Sequence, residues 1–190
     1  AATLENAGST LIAVDANPID AIWSDRPAPS LAPAVPHDAQ YAGMSSADKR
    51  ADIATWLNGQ GMDAVVLSAL DSLAWALNIR GSDVARTPVA LSFAIVHADA
   101  SVDLFIAPEK VNYELRTHLG NAVRVRPRDE FASALTSEFA GKNIAADPER
   151  AVAAIFDALD KGGAKIRAVR DPVVLAKAIK GTEVSLFVGL

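Results

Sequence analysis

Ala64-Val-Val-Leu-Ser-Ala-Leu-Asp-Ser-Leu-Ala-Trp-Ala-Leu-Asn-Ile-Arg-Gly-Ser-Asp83 is the stretch from which the rest of the chain can be read. Its first four residues, Ala64 to Leu67, are an apolar run too short for a helix, which fits a strand buried on both faces. A helix is expected next. Leu70, Leu73, Ala74 and Leu77 keep the i, i+3, i+4, i+7 spacing of one helical face, and Asp71 or Ser72 is placed to satisfy free N–H groups at its start. After the helix, Arg80-Gly-Ser-Asp83 reads as a turn in which Gly81 permits left-handed geometry and projects Arg80 and Asp83 to the surface. Two accounts of that turn stand side by side. In one, a local Arg80–Asp83 ion pair fixes the loop. In the other, the loop touches a substrate or a neighbouring domain, as loops commonly do, and the Arg80 guanidinium holds a carboxylate or peptide carbonyl in its fixed fork geometry.

Upstream, Ser45-Ser-Ala-Asp48 offers N-cap hydroxyls with an acid in the first turn, and Ile53, Trp56 and Leu57 follow at helical spacing until Gly59 and Gly61. Further back, Pro27, Pro29, Pro33 and Pro36 punctuate a segment that reads as a linker, since each proline removes a donor and biases its predecessor toward extended geometry. The N-terminal piece reads as a helix end, Thr3 to Gly8, followed by a strand-like run, Leu11 to Val14.

Downstream, Val89–Val96 and Val102–Ile106 are β-rich runs separated by His97 to Ser101, a length that suits an antiparallel hairpin with a longer loop. Helices are then expected near 109–119, 129–139 and 148–159, alternating with strands at 123–125, 144–146 and 166–169. Alternation of this kind defines an α/β fold, a mixed sheet flanked by helices.

Composition narrows the function classes. The 190 residues carry a net charge of −5 with acids and bases interspersed, so no basic stripe is available to nucleic acid. No apolar run approaches the roughly 20 residues that a membrane-spanning helix needs. There are no cysteines, which excludes disulfides and thiolate chemistry and is compatible with the cytoplasm, the expected location. His37, His97 and His118 show no metal-ligand spacing. Asp63, Asp71, Asp83, Asp99, Asp103 and Asp147 invite the idea of a two-metal nuclease, but no basic groove accompanies the set and Asp71 and Asp147 read better as helix caps; an autonomous hydrolase using these aspartates with a metal is a third, weaker reading. Trp56 and Trp75 read as core residues, and Trp23 as an anchor packing the linker onto a domain, with Asp25 and Arg26 pairing or capping the same turn. No catalytic and no metal-binding residue is assigned.

Three segments carry a family resemblance: Asn17-Pro-Ile-Asp-Ala-Ile-Trp-Ser-Asp-Arg-Pro27, Leu70 to Asp83, and Asp171-Pro-Val-Val-Leu-Ala-Lys-Ala-Ile-Lys180. Their order and spacing resemble those of three-domain Xaa-Pro aminopeptidases of the creatinase-like superfamily, from Leu4 to Lys180. The resemblance implies that residues 1–27 are the end of a first N-terminal domain and 28–40 a proline-rich linker. Residues 41–180 would be a second, creatinase-type domain with a ribonuclease-H-like layout, and 181–190 an atypical tail whose run Val184 to Val188 would be an adhesive strand. It implies a parent metalloaminopeptidase that hydrolyses the N-terminal Xaa-Pro bond of peptides in a separate pita-bread catalytic domain holding two divalent ions, manganese or similar. None of those metal ligands maps onto this sequence. The stretch itself is therefore expected to be inactive and to bind no cofactor, with its partners the catalytic domain and, through it, a proline-containing peptide; a homodimer is left open, and neither nucleic acid nor membrane is expected. Asn78, Arg80 and Asp83 are the candidates for the substrate cleft or the interdomain surface. The alternative is a free-standing α/β binding or scaffolding protein sharing only the fold.

Overall fold

The elements run in chain order as α1 (Ala2–Asn6), α2 (Pro18–Ile22), β1 (Val35–Pro36), α3 (Ala39–Ala42), α4 (Ser46–Gly59), β2 (Ala64–Leu67), α5 (Leu70–Ala76) and β3 (Ile79–Arg80). They continue with β4 (Ser92–His97), β5 (Val102–Ile106), α6 (Tyr113–Leu119), β6 (Val123–Arg126), α7 (Phe131–Ser137), β7 (Asn143–Ala146), α8 (Ala153–Lys161), β8 (Lys165–Ala168) and α9 (Val173–Ala178). The computed structural model describes residues 2–12, 14 and 16–179; Lys180 and the run Val184 to Val188 lie outside them.

The apolar run Ala64–Leu67 is the strand it was expected to be, and all four residues are buried. Period-two alternation sends Val65 and Leu67 to one face and Ala64 and Val66 to the other. Val65 and Leu67 join Ile53 and Leu57 of α4, Leu73 of α5 and Leu115 and Leu119 of α6. Ala64 and Val66 join Phe131 and Leu135 of α7 and Ile155 and Leu159 of α8. A strand wrapped this way must sit inside a sheet covered on both sides. The sheet has six strands in the order β6-β5-β4-β2-β7-β8. β4 lies antiparallel to both β2 and β5, while the outer pairs β5–β6, β2–β7 and β7–β8 are parallel. The mixed sheet flanked by helices is thus the expected architecture.

Local readings hold where the signal is local. Ser45 caps α4, its Oγ accepting from the Asp48 N–H at 3.1 Å. Elsewhere tertiary partners win. α5 has no side-chain cap at Ala69; instead Asp71 reaches Lys177 of α9, and Lys177 Nζ also donates to Ser72 Oγ at 3.1 Å, tying two helices together. Asp147 does not cap α8, whose N-cap is Val152. Its carboxylate accepts from the N–H groups of Glu149 and Asp171, each at 2.8 Å, and so fastens the turn after β7 to the start of α9. Leu11, Ile12 and Val14 are exposed, and the described residues between α1 and α2 contain no strand.

The proline-rich segment is docked along the domain. Ala34 is fully buried, and Val35–Pro36 pairs antiparallel with Ile79–Arg80. Trp23 does not anchor this segment: it is exposed, with the Arg26 guanidinium 5.8 Å from its ring. Arg26 pairs with Asp20 at 2.8 Å rather than with Asp25.

Candidate functional site

The loop from Asn78 to Asp83 begins with a residue in left-handed backbone geometry, Asn78 at φ 49°. Asparagine tolerates that region better than most residues, since its short polar side chain can bond locally. Gly81 is not left-handed. It is there because its backbone lies against Ala90, where an added Cβ would come within 2.7 Å of the Ala90 nitrogen. The sequence reading expected Gly81 to supply left-handed geometry; the neighbour it accommodates lies nine residues on and leaves no local signal.

The three predicted site residues share one loop but have different surroundings. Asn78 is buried, and its Nδ2 donates to the Met44 carbonyl at 2.9 Å while its own carbonyl accepts from the His37 N–H at 2.7 Å. Asp83 makes no pair with Arg80. Its side chain is 1% exposed and salt-bridges Lys110, itself 3% exposed, at 2.6 Å, while its second oxygen accepts from the Leu91 N–H at 2.6 Å. Burial opposes ionisation of Asp83, but the Lys110 and Leu91 bonds outweigh it and hold the carboxyl below its ordinary range. The local ion pair failed because Lys110 arrives from a distant 3₁₀ turn and also donates to the Ser30 carbonyl at 2.6 Å, binding the proline-rich segment, turn and loop in one knot.

Arg80 is half-buried. Its Nη1 donates to the carbonyls of Ala74, at 3.2 Å, and Ile79, at 2.9 Å, and among the described residues it meets no carboxylate. Burial lowers its pKa. A second cation lies nearby that sequence reasoning missed. Lys49 of α4 is 1% exposed, has no acidic partner among the described residues, and is pushed down to about 8 by burial and by Arg80. His37, on the facing segment, is lowered by burial and then by Arg80 and Lys49, with Asp38 opposing. Arg80 and the neighbouring Lys49 are thus two cations that meet no carboxylate among the described residues. The missed signal was present: Lys49, Ile53 and Leu57 fall at i, i+4, i+8, so the lysine shares the buried face of α4.

The other chemistry-bearing residues are engaged elsewhere. His97 lies 3.1 Å from Asp103, and Arg124 Nη2 donates to the same carboxylate at 2.8 Å. That carboxyl is held well below its ordinary range, because the His97 and Arg124 hydrogen bonds outweigh the burial that opposes its charge. Asp63 accepts from the Asn143 N–H, and Asp99 from Ser101. Trp56 and Trp75 pack half-buried against the core, in line with expectation. Among the described residues no three His, Cys, Asp or Glu side chains are grouped to hold a metal ion, and no helix is long and apolar enough to cross a membrane.

Residues 25–183 match the family model for the Creatinase/Prolidase N-terminal domain, and the chain belongs to that family. Its curated relatives are more particular. The "Probable Xaa-Pro aminopeptidase P" of Aspergillus niger is 37% identical over 186 residues, which cover 94% of this chain and 30% of that protein. The protein of the same name from Aspergillus clavatus is 35% identical over 188 residues, covering 95% of this chain and 28% of its own length. Among solved structures, the X-prolyl aminopeptidase of Caenorhabditis elegans, described as a cytosolic enzyme with a di-nuclear active site, superposes with a TM-score of 0.82 at 27% identity, over 97% of this chain and 31% of that one. A proline dipeptidase chain from Streptococcus pneumoniae shares the fold, with a TM-score of 0.50 at 20% identity over 72% of this chain and 100% of its own. The chain thus spans about 30% of the length of the first two relatives. Its described residues offer no ligand set for a di-nuclear centre.

Proposed function

We propose that these residues form the non-catalytic N-terminal part of a metal-dependent Xaa-Pro aminopeptidase. The parent enzyme hydrolyses the bond between an N-terminal residue and a following proline, using metal ligands supplied by a separate catalytic domain. The role of this part is to wall the substrate cleft and to hold domain contacts, with residues 1–27 ending a first domain, 28–40 linking, and 41–180 forming the second. The observation that carries the proposal is the match over almost the whole chain to the N-terminal part of the C. elegans X-prolyl aminopeptidase. A cytosolic location agrees with the description of that enzyme.

Arg80 is the residue of the loop we assign to this role, because Asn78 and Asp83 are committed to other partners, while half-buried Arg80 meets no carboxylate among the described residues. The absence of a carboxylate partner among the described residues fits a contact with a peptide carbonyl, a substrate carboxylate or an acid of the catalytic domain. In a protein extended through the downstream coding sequence, Arg80→Met should raise KM for a short Xaa-Pro peptide by about 10-fold or more, the loss of one charge-assisted hydrogen bond. The folding midpoint should fall only modestly, by the loss of the Arg80 donor to the Ala74 and Ile79 carbonyls, about 1 kcal/mol. An unchanged KM and kcat would remove Arg80 from the cleft.

A further inference from the structure

We propose that Lys49 is the positioning residue of the Arg80 loop, acting through Asn78 to fix the left-handed turn from which Arg80 is presented. The proposal rests on the loop having the interface role just described, but its physical content is separate from it. Lys49 Nζ donates to Asn78 Oδ1 at 2.6 Å and to the Trp75 carbonyl at 3.1 Å, and it lies 4.3 Å from the centroid of the Trp75 ring. An ammonium has three protons to place, and here two acceptors and one aromatic face receive them. The partners are the last turn of α5 and the first residue of the loop. One buried charge therefore joins α4, the end of α5 and the turn.

Burying an ammonium without a carboxylate is costly, and packing alone would be served by a methionine. What a methionine lacks is any donor for Asn78 Oδ1 and the Trp75 carbonyl, both of which would then be buried without this partner. Asn78 is the point at which that loss would spread. Its left-handed backbone is held from three sides, by Lys49 on Oδ1, by the Met44 carbonyl on Nδ2, and by the His37 N–H on its own carbonyl. Ile79 and Arg80 then enter β3 directly. The neighbours that bear charge are Arg80 from the loop and His37 from the facing segment. Asp52 of α4, and Arg170 and Asp171 before α9, line the cavity of about 280 Å³ that Lys49 also borders. Arg80 pushes the amine the same way as burial does, to about 8, so the proton on Lys49 is a reporter of the loop.

Carbon-detected NMR of the labelled chain follows Lys49 Cε, the Trp75 ring, Asn78 Cγ and Arg80 Cζ from about pH 6.5 to about pH 11, a window that also takes in the ordinary lysine value of about 10.4. The expected result is that all four shift together with one midpoint near 8, while signals from β7 and β8 do not. Lys49→Met should abolish that midpoint and displace the Asn78 and Arg80 signals. Asn78→Asp, which sets a carboxylate against the amine, should move the midpoint upward and serves as the second test should the methionine variant not fold. Arg80 and Asn78 signals that stay in place in Lys49→Met, or a Lys49 midpoint in the ordinary lysine range, would overturn the proposal. Failure of the cleft reading looks different: Arg80→Met would leave KM flat in the extended enzyme while the coupled titration persisted.

Discussion

Lys110→Met should destabilise the chain by about 3–5 kcal/mol, the usual cost of removing one partner from a buried ion pair. The pair meets the conditions for a large effect. Both side chains are almost fully enclosed, and the Asp83 carboxylate left behind would lose its one cationic partner among the described residues and keep the neutral donors Leu91 N–H and Ser30. Lys110 also holds the proline-rich segment through the Ser30 carbonyl, and its own carbonyl accepts from the Ala34 N–H at 3.0 Å. Urea unfolding should show the loss in stability, and limited proteolysis should show earlier cleavage between Arg26 and His37. The double variant with Asp83→Asn should cost less than the sum of the two single changes, since the uncompensated charge disappears. The pH dependence has a definite sign. Asp83 ionises more readily folded than unfolded, so its contribution is fully present above the unfolded value of about 3.8 and fades as pH falls through the lower folded value. A wild-type advantage over Lys110→Met that stayed constant through that acid window would contradict this account.

Phe105→Ala should cost about 3–5 kcal/mol, a range typical of large aromatic truncations in cores. Phe105 is fully buried in β5 and meets the Phe131 ring edge-on, with centroids 5.2 Å apart, while Phe131 stacks on Phe93 at 4.2 Å. The Arg126 guanidinium sits 4.7 Å from the Phe105 ring, and it in turn pairs with Glu138 at 2.8 Å. Truncation would therefore open a cavity between the sheet and α7 and unseat an arginine on the edge strand. Against a typical total stability of roughly 5–15 kcal/mol, that is a large share. Phe105→Leu should cost much less, because most of the volume is kept. Equal losses from both substitutions, measured by denaturant midpoint, would point to aromatic geometry rather than cavity volume.

The parts of the molecule legible in the sequence are those whose causes are local. The run Ala64–Leu67 fitted a doubly buried strand, and Ser45 announced the helix it caps. The alternation after Ile106 followed from spacing, although two of the expected helices start with a 3₁₀ turn, at Pro108–Lys110 and Arg128–Glu130. What stayed hidden depends on residues far apart in the chain. Asp83 is 27 positions from Lys110 and Lys49 is 29 from Asn78, so neither partnership leaves a trace in local pattern. Gly81 was expected to supply a positive φ; that task falls to Asn78, and the glycine serves a close approach to Ala90. Lysine on a helix normally reads as a solvated face. Lys49 departs from that expectation at the place where the loop needs fixing, and such departures are where function or strain concentrates.

The central claim is that this chain supports an Xaa-Pro aminopeptidase without performing the chemistry. It is tested most directly by release of the N-terminal residue from a short Xaa-Pro peptide with added Mn²⁺, comparing the 190 residues alone with a protein extended through the downstream coding sequence, each beside a chelator control. The account predicts metal-dependent, chelator-sensitive turnover by the extended protein and none by the 190 residues. Metal-dependent turnover by the 190 residues alone would contradict it.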